Sequence, residues 1–197
     1  MNNSIILFNK SIAETKDLKI TLDSIKTVVT AAINLEDFYR LLIVQTVSAL
    51  DYFIHEFVLE EMIEIYERRR PVSNNFSNFT IPISSTLQSR PSLNILQAHI
   101  RQKHSWLSFQ EPDKISDALK LISNKKIWEE LSPVFSLNSG DLKRKLKLVI
   151  DRRNKIAHEL DMNPSDPGEK WPINTTDVND IIKFIEKLGN EIYNNIK

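Results

Sequence analysis

The 197 residues contain no cysteine, which excludes a disulfide framework and every thiolate metal site and fits a reducing compartment. Three glycines are too few for a sandwich or barrel full of tight turns, or for a phosphate-cradling loop. Charge of either sign is not in excess: 26 basic residues meet 26 acidic ones, so the surface is not the uniformly basic one that coats nucleic acid. The N-terminal stretch MNNSIILFNKSIAE has no basic segment followed by an apolar run and a small-residue cleavage site, so no signal peptide is read there. The most apolar stretch, Leu41 to Leu59, is broken by Asp51, His55 and Glu56, which argues for a buried core helix rather than a membrane span. A cytoplasmic protein without membrane contact is expected.

What is present is helical periodicity. Leu18, Leu22, Ile25, Val29 and Ala32 recur at steps of three and four, which predicts an amphipathic helix from about Ser11 to Ala32. A second helix runs from near Asn34 to Arg68 without proline or glycine and is apolar almost all round in its middle, as a central bundle helix is. Residues 71–91 are rich in Ser, Asn and Pro and read as a long loop, with Phe76, Phe79, Ile81 and Ile83 pinned to the body or paired in a short hairpin. A third helix is expected from Ser92 to Trp106 and a fourth opening at Pro112, followed by a short segment at Trp128 to Leu131. A helix capped by Ser139 or Asp141 runs to Leu160, a loop covers 161–174, and a last helix begins at Thr175 or Thr176. The fold class is therefore all-α: one domain over residues 1–197, a bundle of five to seven helices with a long central helix.

The helix from Asp141 to Leu160 carries the chemistry. Seven basic residues lie between Lys143 and Lys155 against Asp151 alone. Such a run is ordinarily a solvated face, and the Arg68, Arg69 and Arg70 cluster a helix end complementing its dipole. At about 100° per residue, Leu142, Leu146, Val149, Ile150, Ile156, Ala157 and Leu160 share one face, with Arg153 in its middle. A guanidinium does not deprotonate at ordinary pH, so Arg153 needs a carboxylate, a phosphate or a water-filled cleft. His158 falls about 140° from it, so one straight helix does not aim both at one phosphate, whereas two copies crossing at a twofold axis can. On the central helix Asp51 and His55 are polar residues four apart in an apolar run. Asp51 is a candidate partner for Arg153 or for an imidazole, and His55 reads first as a satisfied core histidine. His99 and His104, five apart and without a third ligand, read as surface histidines, so no metal site is expected. Trp106, Trp128 and Trp171 read as packing residues before base-stacking ones.

The run Arg153-Asn154-Lys155-Ile156-Ala157-His158 resembles the arginine, four residues, histidine signature of HEPN domains, in which a polar residue often follows the arginine. The segments SALDYFIHEFVLEEM (48–62), HIRQKHSWLSFQEPDKISDALKLI (99–122), LKRKLKLVIDRRNKIAHEL (142–160) and GEKWPI (168–173) resemble the RiboL-PSP group of that superfamily. A lone Arg-x4-His would carry no weight; four segments in the same order do. The resemblance implies a metal-independent endoribonuclease without cofactor, acting as a homodimer whose site forms where two motif helices meet. By that likeness His158 is the general acid or base, Arg153 clamps the scissile phosphate, and Asn154 positions the phosphate or the imidazole. Cleavage by the 2′-hydroxyl leaves a 2′,3′-cyclic phosphate and a 5′-hydroxyl. Lys147, Arg152 and Lys155 would hold the RNA backbone, and Asp51 and His55 would support the site. Single-stranded RNA is the expected substrate, DNA is not, and a toxin–antitoxin, abortive-infection or anti-phage setting with an antitoxin partner is implied. One departure stands out. HEPN toxins silenced by nucleotidyltransferases carry a tyrosine two residues after the motif histidine, and here that position is Leu160.

Two other readings compete. A non-catalytic HEPN dimer would bind RNA or a protein as a scaffold, which the zero net charge favours. A regulatory helical protein with a small ligand in its core would need Asp51 and His55 to face an internal cavity.

Overall fold

The computed structural model describes residues 3–29, 33–86 and 90–197, and its regular structure there is helical throughout. Helix α2 (Glu36–Tyr66) forms the axis, and α1 (Asn3–Val28), α4 (Leu93–His104), α5 (Pro112–Lys120), α7 (Ser139–Glu159) and α8 (Thr175–Ile196) all pack on it. Its sequence explains the position. Leu42, Ile43, Val47, Leu50, Phe53, Ile54, Phe57 and Val58 are all buried, a set too wide for one stripe, so the helix needs neighbours on several sides. By length and composition α2 is apolar enough to cross a membrane, yet half of that window is enclosed by the bundle. The expected all-α bundle with a long central helix is what forms; among the described residues it has eight α-helices, one of them a single turn.

Helix α1 starts eight residues earlier than the periodicity of Leu18 to Val29 suggested, and its buried stripe is Ser4, Phe8, Ile12, Thr15 and Leu22. Leu18 and Ile25 lie on an exposed flank, and the expected end at Ala32 falls outside the described residues. Phe8 fixes this register: its ring lies 5.0 Å from that of Phe53 and against α8 at Gly189, where a Cβ would come within 2.4 Å of it. Asp23 then ties three helices together, accepting hydrogen bonds from Tyr39 (2.7 Å), Thr175 (2.9 Å) and Lys19 (2.6 Å). Burial raises the Tyr39 hydroxyl to a pKa of about 12, with the Asp23 carboxylate adding to the effect.

The Ser/Asn/Pro-rich segment makes no hairpin in its described part. Ser73 accepts from the Phe76 amide (3.0 Å) and donates to the Leu121 carbonyl (2.8 Å), which starts the turn α3 (Asn74–Ser77); a 3-10 turn follows at Ile83–Ser85. Phe76 and Phe79 pack against the core, while Ile83 is exposed. Pro112 opens α5 as expected, and α6 (Ile127–Phe135) extends beyond Trp128–Leu131 to an end at Ser136, which turns left-handed. Two N-caps differ from the sequence reading: Asn138 caps α7 through the Asp141 amide (2.8 Å), and Asn174 caps α8 through the Asp177 amide (2.8 Å). Both are one residue earlier than the candidates, where extended backbone lets the amide side chain reach back.

Candidate active site

Helix α7 is buried for its first half only. Leu142, Leu146, Val149 and Ile150 lie in the core, Ile156 is half-buried, and Ala157 and Leu160 are exposed, Leu160 by 72%. Neighbouring acidic residues of α5 meet only that first half, with Lys143 3.1 Å from Asp113 and Lys147 3.7 Å from Glu111. The apolar stripe therefore runs on past the part that this chain covers.

Arg153 sits where the stripe emerges. It is half-buried, its Nη1 donates to Asn154 Oδ1 (3.1 Å), and its Nε is buried without a partner. No ion pair to Arg153 occurs among the described residues, so the candidate pairing with Asp51 does not form. Asp51 instead accepts from the Phe109 amide (2.5 Å) and the Gln110 side chain (3.1 Å), and lies 3.8 Å from His55 Nε2. It holds down the segment between α4 and α5, whose main-chain donor is closer to hand than a guanidinium on α7. His158 is exposed in the last turn of α7, where a cation also suits the helix dipole. Asn154 shares its flank of the helix, about 40° away, and Lys147 about 20° away.

The end of α7 is held by a latch that the motif alone did not reveal. Leu160 (φ 54°) and Asp161 (φ 58°) are both left-handed, a conformation that costs about 1 kcal/mol or more for each non-glycine residue. The Asp161 carboxylate offsets this strain: fully buried, it accepts from Arg40 Nε (2.8 Å) and Arg152 Nη2 (2.7 Å). The main chain of the following loop joins in, since the Trp171 amide donates to the Asp161 carbonyl (2.8 Å) and the Trp171 carbonyl accepts from Arg40 (2.6 Å). Burial opposes the charge on Arg40, but Asp161 and Glu36 raise its pKa regardless; Arg152, with Arg40 beside it, is lowered by burial despite Asp161. Arg152 is thus tied into the structure, bound to Asp161 and to the Pro172 carbonyl (3.1 Å). The sequence signal was Arg40 itself, a charge at the head of the apolar run of α2 that called for a counter-ion once buried.

The other candidates separate. Lys155 lies 5.4 Å above the Trp171 ring, and Lys147 is exposed but flanked by Asp151 (3.4 Å) and Glu111. His55 is half-buried and faces an open cleft rather than an internal cavity, and His104 is buried rather than on the surface. Arg69 and Arg70 close the end of α2, on Glu64 (2.6 Å) and on Glu61 respectively. Trp128 is core and donates to Ser116 (2.7 Å); Trp106 is 91% exposed.

The model of one protein family, RiboL-PSP-HEPN, matches residues 8–197, which takes in all of these elements from Phe8 to the end of α8. The chain belongs to the RiboL-PSP-HEPN family. No curated protein and no solved structure matches it. HEPN domains are commonly ribonucleases, and Arg153, Asn154 and His158 all lie on α7.

Proposed function

We propose that this HEPN protein is a metal-independent endoribonuclease that works as a homodimer through α7. The observation that carries the reading is Arg153: a permanent cation on the core face of its helix, hydrogen-bonded among the described residues only to the neighbouring Asn154, with one buried N–H unsatisfied. An N–H left without a partner in that setting costs about 1–3 kcal/mol, a cost that a phosphate oxygen would remove. Exposed His158 supplies the proton transfer: as base it takes the 2′-hydroxyl proton, and as acid it protonates the 5′-oxygen that leaves. Since one α7 does not aim both groups at one phosphate, the second copy completes the site. The exposed stripe of Ala157 and Leu160 supports that contact. RNA with single-stranded regions is the substrate, and a defence or toxin–antitoxin setting with an antitoxin as regulator fits a nuclease of this kind.

The test is incubation of wild type and His158→Ala with total RNA in EDTA. Metal-independent fragments ending in 2′,3′-cyclic phosphate, absent with the variant, are the expected result. Cleavage that needs a divalent ion or survives the substitution refutes the mechanism. One observation favours the scaffold reading: Lys143, Lys147 and Arg152 all have carboxylate partners, so the basic run is largely neutralised. A folded dimer that binds RNA but cuts none over a broad panel would select it.

A further inference from the structure

A cleft of about 380 Å³ opens between α2 and the end of α4, lined by Ser48, Asp51, Tyr52, His55, Arg101 and His104 among others. That volume is in the range of small-ligand sites, roughly 300–1,000 Å³. Its wall is aromatic. The His55 ring lies 4.3 Å from Phe109, and buried His104 meets the same ring edge-on at 5.4 Å. Tyr52, half exposed, stands at the rim, with Trp106 just beyond Ser105.

The charge in the cleft is specific. Arg101 is already committed, donating to both oxygens of Glu56 (2.6 and 2.8 Å). Burial, with His55 and Lys103 nearby, holds His104 neutral down to a pKa of about 4. Asp51, with His55 Nε2 3.8 Å away, is left as the open carboxylate of the cleft. Its carboxylate is fixed by Phe109 and Gln110 but keeps 22% of its side-chain surface open and has lone pairs to spare. A phosphate is repelled from such a site, whereas a flat ligand with adjacent N–H donors is matched: its face to the rings, its edge to the carboxylate.

A relay of polar contacts links the cleft to the motif helix. Gln110, which binds Asp51, is followed by Glu111, which reaches Lys147 on the same flank of α7 as His158.

We infer that this cleft is a base-recognition subsite of the RNA path, with Asp51 selecting guanine over uracil. Guanine offers a ring N–H and an amine side by side, which a carboxylate accepts as a pair; adenine and cytosine offer the amine alone, and uracil places its single N–H between two carbonyls. The inference rests on the RNA-binding part of the proposed function and not on cleavage.

The test therefore uses uncleaving full-length His158→Ala. Its affinity is measured by fluorescence anisotropy for short labelled oligouridylates carrying one guanosine, or one inosine, which lacks the amine. Guanosine should bind about tenfold tighter than inosine or uridine. Asp51→Asn should erase that difference. Because Asp51 also holds the 109–110 segment, Tyr52→Ala provides a second arm: it removes an exposed ring and should weaken guanosine binding several-fold while leaving the melting temperature unchanged. Tight but equal binding of all three oligomers would overturn the inference and leave the RNA reading standing. No binding of any oligomer would overturn both. Guanosine preference in His158→Ala, with a wild type that cleaves no RNA, would uphold the subsite and remove the nuclease.

Discussion

Replacing Asp161 by Asn removes one charge from the latch while keeping a residue that tolerates the left-handed backbone at φ 58°. Arg40 then loses its buried counter-ion, with only 4% of its side chain exposed, and Arg152 loses its one carboxylate. Breaking a buried ion pair by removing one partner costs about 3–5 kcal/mol. Arg40 keeps Asp37 (3.1 Å) and Glu36 (3.3 Å), both partly in water, so the low end applies, about 3 kcal/mol. For a chain of this size that is a fall of roughly 6–12 °C in melting temperature. Asp161→Ala should cost about 1 kcal/mol more, because alanine pays the left-handed penalty in full. Urea unfolding measures both, and hydrogen exchange locates the effect: amides from Lys155 to Trp171 should lose more protection than those of α1 and α4. If Asp161→Asn unfolds within 0.5 kcal/mol of wild type, or if protection falls equally everywhere, the latch does not hold the end of the motif helix (that threshold being about the error of such measurements).

Arg153→Met should abolish RNA cleavage without loss of stability, because the side chain removed has no carboxylate to leave behind; a drop of more than about 1 kcal/mol in urea would contradict this. His104 gives a pH signature. Its pKa of about 4 in the folded chain lies below the usual 6.5, so above pH 6.5 it costs nothing, and as pH falls towards 4 the unfolded chain takes up the proton first. Wild type should therefore lose about 1.4 kcal/mol per unit over that window relative to His104→Asn; parallel stability curves for the two proteins would refute it. Gly189→Val forces a side chain into the Phe8 ring and should destabilise by roughly 1–3 kcal/mol in thermal unfolding, while the double variant with Phe8→Ala should cost less than the sum of the two.

The helical class, the central place of α2 and the amphipathic course of α7 were legible because burial imposes a 3.6-residue period that survives in the sequence. Arg153 was visible as a charge on an apolar face for the same reason. The partners of Asp51, Arg40 and Arg152 were not legible, since each lies far off in the chain: 58 residues separate Asp51 from Phe109 and 121 separate Arg40 from Asp161. A wheel says that a side chain is misplaced on its own helix; it does not say which of several loops will bring the answering group. Hence Arg152 and Arg153, adjacent and alike in the sequence, part company in space, one bound to Asp161 and the other left with Asn154.

By itself the sequence determined a cysteine-free helical bundle and placed an arginine, an asparagine and a histidine on one helix, because local periodicity and residue chemistry need no knowledge of neighbours. Tertiary structure alone decided which charges are neutralised, where α7 leaves the core, and that Asp51 and His55 face a cleft. Those outcomes depend on which groups come within about 3 Å of one another, and the meeting of distant segments is settled by packing the whole chain.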